Sequence, residues 1–148
     1  METCRWKALN ERAYAGISLQ RRDGIYYASL YLDGNANGIR SADIQQGTDS
    51  RFRGPVRLER STGDIAVGTL GTFVPQIPPR TSFLDSDPVK FGKSDIISFS
   101  PYGDSSSGTL YLACYSRQEM YAIVTYGPTA RWTLWRFSNQ QWQMVEDQ

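Results

Sequence analysis

The sequence predicts an α+β fold that is mostly β, with a short N-terminal helix packed on antiparallel β-sheets. Three observations carry this expectation. The last third alternates strand-like runs at 96–102, 108–115, 120–126 and 131–137 with turns rich in Gly, Ser and Pro, the pattern of an antiparallel meander. Aromatic residues make up 13% of the chain and nine of them are Tyr, side chains that suit a pleated, half-buried surface. Helical spacing is confined to residues 1–12, where Trp6 and Leu9 fall on one face.

The remaining elements follow in chain order. A helix over 1–12 is too short to hold alone and needs a surface beneath it. Residues 14–20 alternate, with Ile17 and Leu19 on one side. Asp23-Gly24 then precedes a second run at 25–32, which reads as a hairpin. Residues 33–49 form a polar loop. Runs at 55–60 and 64–69 flank Ser61-Thr62-Gly63-Asp64 and predict a second hairpin. Four of the seven prolines, Pro75, Pro78, Pro79 and Pro88, fall within 71–93. Proline lacks the N–H that a central strand uses, so this stretch reads as a surface connection. Phe73, Val74, Ile77, Phe83 and Leu84 are expected to pin it down. The 148 residues suit a single domain: a helix at 1–12, a β-rich body at 13–142 and a tail at 143–148.

Composition narrows function. The net charge is +1 and no His is present. The commonest general base and most zinc and iron ligands are therefore missing. Two cysteines, Cys4 and Cys114, are too few for a Cys-only zinc site. They fit either one disulfide closing a long loop or two buried thiols, and spacing leaves both open. No apolar run approaches the length of a membrane span, and the first ten residues are polar, unlike a signal peptide. The chain as given is expected to be soluble, without membrane contact of its own. Asp85, Asp87, Asp95 and Asp104 are candidate acid/base carboxylates, and the serines at 105–107 lack a His partner. Turn chemistry accounts for these residues, and the expectation is a protein that is not an enzyme.

Two constellations bear on ligands. Asp33, Asn35, Asn37, the Ile39 carbonyl, Ser41 and Asp43 stand at alternate positions around Gly38, as in the first half of a calcium loop. The alternative is a turn whose side chains bond their own backbone. Arg51, Arg53, Arg57 and Arg60 surround Phe52, while Arg131 and Arg136 accompany Trp132 and Trp135. Arginine interleaved with aromatic rings is a pattern that holds single-stranded nucleic acid. Solvated faces or a subunit interface explain the same residues, and alternation puts some of the rings in the core.

Several motifs taken together resemble the heads of type IV pilin-like proteins, the minor pseudopilins of the GspH/FimT kind. The stretch SDIISFSPYG at 94–103 contains Phe-x-Pro-x-Gly at the end of a strand. It is followed by SGTLYL at 107–112 and by a strand at 121–126 leading to Gly127 and Arg131. YLDGNANGIRSADI at 31–44 and DPVKFG at 87–92 add to the likeness, which spans roughly 14–142. Two departures stand out: Ala130 occupies the family's Gly before the final Arg, and the apolar N-terminal helix is missing. The resemblance implies a pilin-like β-sandwich head on a helix of which 1–12 is the stub. It implies a structural subunit of a type IV pilus or type II secretion pseudopilus, extracellular or periplasmic. Its partners would be other pilin or pseudopilin subunits, with the long helix in the same chain or on a separate one. Some such pilins capture DNA, which would draw on Arg51, Arg53, Arg131 and Arg136. The alternative expectation is a secreted, calcium-stabilised binding module.

Overall fold

A computed structural model describes residues 1–59, 64–71, 73–78 and 82–147. The fold is mostly β, with one short N-terminal helix and antiparallel sheets. Helix α1 spans Glu2–Glu11 and ends where Arg12 turns left-handed at φ 53°. β1 (Ala15–Arg22) and β2 (Ile25–Leu32) form the expected hairpin, turning through Asp23 and Gly24, both at positive φ. Asp-Gly supplies the two positive-φ positions that a tight hairpin needs. β3 (Ser50–Arg57) adds to the outer edge of β2, and β6 (Ile96–Phe99) to the other edge of β1. The first sheet therefore runs β3-β2-β1-β6.

The second sheet is built from β7 (Gly108–Cys114), β8 (Glu119–Tyr126), β9 (Arg131–Ser138) and β10 (Gln141–Asp147), a consecutive meander. Two short strands, β4 (Ile65–Val67) and β5 (Val89–Lys90), share the free edge of β7 end to end. Several expectations change here. The run at 96–102 yields β6, but this strand joins the first sheet rather than the meander. The supposed tail at 143–148 contributes β10, the fourth strand of the meander, with Gln148 outside the described residues. The runs at 55–60 and 64–69 do not pair with each other, because β3 bonds β2 and β4 bonds β7. The intervening turn at 61–63 lies outside the described residues. A second helix, α2 (Ser41–Gln46), occupies the loop expected to be irregular.

Alternation sorts each strand into two faces. Ile17, Leu19, Ala28, Ile97 and Phe99 of the first sheet share a core with Val67, Val89 and Leu110 of the second. Helix α1 joins this core through Cys4 and Ala8, both fully buried. Trp6 and Leu9, expected to face inward, point out instead, and Trp6 is 67% exposed. The helix docks by close backbone approach on small side chains, so its large residues are left on the far side.

Each outer face is covered by the chain's own loops. Tyr31 and Ile96 of the first sheet pack under Ile39, Ile44 and Tyr14. A Cβ added at Gly16 would come within 2.9 Å of Ile39, so glycine lets that loop lie flat. On the second sheet, Val74, Ile77 and Leu84 of the proline-rich stretch bury Tyr111, Met120, Val124 and Phe137. Phe73 and Phe83, expected to help, are exposed. Pro79 lies outside the described residues.

The cysteines are two free, buried thiols rather than a disulfide. Cys4 sits under α1 on the first sheet's core, whereas Cys114 ends β7 beside Ser116, 3.6 Å from its Oγ. Burial pushes the Cys4 thiol up to about 11, against the opposing pull of the N-terminal ammonium.

Candidate functional site, an apolar trough between the sheets

The inner faces of the two sheets are not fully closed upon each other. Two adjoining cavities of about 320 and 390 Å³ share Leu58, Leu110 and Ile123. Leu30 and Val56 wall the trough from the first sheet, and Leu112 and Ile65 extend it along the second. Met1, which precedes α1, and Thr3 of its first turn line the end of the trough. The trough is therefore a continuation of the seat on which α1 rests.

Local sequence explains the opening. Leu30 and Leu112 face inward by alternation but remain only partly buried. β3 carries Gly54 at φ 94° and Pro55, and its pairing with β2 shifts register between Ala28 and Leu30 and again before Tyr31. Proline and positive-φ glycine belong on an edge strand with bulges. The bulged edge leaves Val56 exposed rather than folded over the core. Arg53 stands on the rim, as does Arg57, which pairs with Glu59 at 2.7 Å. An apolar floor with a charged rim of Arg53 and the Arg57–Glu59 pair suits an apolar segment better than a polar substrate.

The polar loop is organised by hydrogen bonds from its own backbone. Asp33 Oδ1 accepts from the N–H groups of Asn35 (2.9 Å) and Ala36 (3.0 Å), and Oδ2 from Gly38 (2.8 Å). Asp49, also buried, accepts from Gly34 and Arg40. Asn35 accepts from the N–H of Asn37. Ile39 turns its side chain into the core, Ser41 opens α2, and the Asp43 carbonyl closes that helix by accepting from Thr48 and Asp49. Among the described residues no three His, Cys, Asp or Glu side chains cluster together. Asp33, Asn35 and Asp49 thus bond the backbone of their own loop, as in the turn alternative, whereas Asp43 Oδ2 is buried with no hydrogen-bond partner among the described residues.

The arginines proposed for nucleic acid are not brought together. Arg51 and Arg53 lie on β3 of the first sheet, while Arg131 and Arg136 lie on β9 of the second. Arg131 is paired with Asp147 at 2.8 Å, and Arg136 with Glu119. Five positions apart on one strand, Arg131 and Arg136 face opposite sides. Arg60 lies outside the described residues.

Two of the candidate acid/base groups, Asp85 and Asp87, have structural partners. Asp85 and Asp87 both bind Lys90, at 2.6 and 3.2 Å, and each accepts a backbone N–H two residues on. The Lys90 bond holds the Asp85 carboxyl below its usual value. Asp95 is held above its usual value by burial, with the Asp87 charge adding and Lys90 opposing. Ser107 Oγ accepts from the Gly127 N–H, and Ser106 Oγ from the Ser98 N–H. These hydroxyls tie loops.

Sequence reasoning missed the trough itself. Its one local sign is Val56-Arg57-Leu58, a polar residue between two apolar ones, but only the pairing of β3 reveals which face stays open. Comparison with family models, curated proteins and solved structures gives no match for this chain.

Proposed function

We propose that this protein is the β-sandwich head of a pilin-like structural subunit, acting at an extracellular or periplasmic filament by packing against neighbouring subunits. The observation that carries the reading is the trough, which prolongs the seat of α1 between the two sheets and is lined by Leu30, Val56, Leu58, Leu110 and Ile123. A second apolar helix laid end to end with α1 would bury those side chains, the helix-in-groove mode of recognition. The motifs at 94–103 and 107–112, and the docking of a short helix on antiparallel sheets, support the pilin-like assignment. The role is assembly rather than catalysis, with the helix provided by the same polypeptide or by a partner pilin or pseudopilin.

The test uses a soluble Leu/Ala helical peptide with terminal lysines, titrated into methyl-labelled protein. The expected result is saturable shifts at Leu30, Leu58, Leu110 and Ile123, lost in Ile123→Glu. Unchanged methyl signals at saturating peptide would refute the reading.

A further inference from the structure

A second surface lies on the opposite face of the second sheet, where the proline-rich stretch stops short. Register assembles it. On β9, Arg131, Thr133 and Trp135 share one face by alternation. Tyr126 of β8 stands opposite Arg131, Met144 of β10 opposite Trp135, and Asp147 opposite Thr133. The short turn at Gly127–Thr129 supplies Pro128 and Thr129 as the remaining wall. The resulting cleft has a volume of about 460 Å³, within the usual range for small-molecule sites.

One irregularity brings the acid there. β10 shifts register between Met144 and Glu146. Without that bulge Asp147 would oppose Trp132 on the other face; with it, Asp147 meets Arg131 at 2.8 Å. Bulges re-aim side chains in this way next to functional sites. Trp135 is also fixed: its indole N–H donates to Thr133 Oγ1 at 2.8 Å, which sets the ring plane and leaves the half-buried ring lining the cleft.

We propose that this cleft binds a neutral glycan, with a pyranose ring stacked on Trp135. The chemistry fits that class. A sugar presents an apolar C–H face, which an aromatic ring covers, and an edge of adjacent hydroxyls. Asp147 accepts from such hydroxyls and Arg131 donates to them, each with fork geometry matched to a diol. The two opposite charges cancel, so the site carries no net attraction for a phosphodiester, and Asp147 would repel one. The site is independent of the trough, which lies on the inner face.

The experiment follows the Trp135 indole resonance during titration with cellohexaose, N-acetyl-chitohexaose and maltohexaose, with an oligothymidylate and a heparin fragment as charged arms. At least one neutral hexasaccharide is expected to shift that resonance saturably. Asp147→Asn and Arg131→Gln, both at exposed positions and so compatible with folding, are expected to weaken binding by about tenfold or more. Three results would overturn the proposal: no shift with any neutral saccharide, binding confined to the charged arms, or Asp147→Asn and Arg131→Gln binding as tightly as the parent.

Discussion

Ile77 of the proline-rich stretch is held to the second sheet by three hydrogen bonds, made through its own N–H and carbonyl. The Ile77 N–H donates to the Tyr111 hydroxyl at 3.0 Å, and that hydroxyl donates to the Ile77 carbonyl at 3.2 Å. Thr109 Oγ1 donates to the same carbonyl at 2.9 Å. All three groups are buried. Tyr111→Phe removes the only partner of the Ile77 N–H among the described residues and costs about 1–3 kcal/mol, the penalty for a buried donor left unpaired. Thr109→Val alone leaves the carbonyl its Tyr111 bond and costs about 1 kcal/mol. Together they remove these partners from both the N–H and the carbonyl of Ile77, so the double variant loses more than the sum of the two. For a domain of this size, a loss of about 2 kcal/mol lowers Tm by roughly 4–8 °C. Urea denaturation of the four proteins closes the cycle. The reasoning is refuted if Tyr111→Phe lies within about 0.5 kcal/mol of the parent, or if the two losses simply add.

Other predictions follow from the same contacts. Asp33→Ala removes the acceptor for three backbone N–H groups and is expected to cost about 3 kcal/mol. Thermal melts should show the same loss in calcium and in chelator; a calcium-dependent rise in the parent would contradict the self-bonded turn. Cys4, with its thiol raised to about 11, should resist alkylation at pH 8 until the protein unfolds, so labelling rates should track urea-induced unfolding. Acid should weaken the fold through Glu119 and Asp85, whose pKa values are lowered by bonds to Arg136 and Lys90. Groups depressed in this way stabilise above their unfolded values, and that stability is lost as pH falls from about 4.5 through the lowered values. Urea midpoints at neutral and acidic pH should therefore differ less in Glu119→Gln. Asp95 runs the other way: burial raises its pKa, so Asp95→Asn should gain stability at pH 7 and little at acidic pH.

Much of the fold was legible because its signals are local. Asp23-Gly24 marks the first hairpin, and the spacing of β7, β8 and β9 marks the meander. What stayed hidden depends on pairings between distant segments. The run at 96–102 looks like a meander strand, yet Ile97 pairs with Ile17. Trp6 and Leu9 have the spacing of a buried face, but Cys4 and Ala8 let α1 sit closer to the sheet, and the sequence does not show that preference. The cysteines illustrate the same limit, since either reading suited their composition and only their separate places in the fold decide it. The trough needs an unfilled space between two sheets, which no periodicity records. The glycan cleft depends on one extra residue in β10, whose effect on Asp147 is invisible without the register.

The late arrival of β6 bears on how the molecule comes into being. The inner edge of β1 waits for residues 96–99, while β2 and β3 assemble almost at once from neighbouring chain. During synthesis the residues of the first three strands emerge before the segment that pairs with the remaining edge of β1. Contacts between such distant segments slow folding, and exposed apolar edges invite association with other nascent chains. Folding yield should therefore be governed by how quickly the segment around Ile97 is delivered, and mutations there should reduce recovery of soluble protein more than equal losses of stability in the meander.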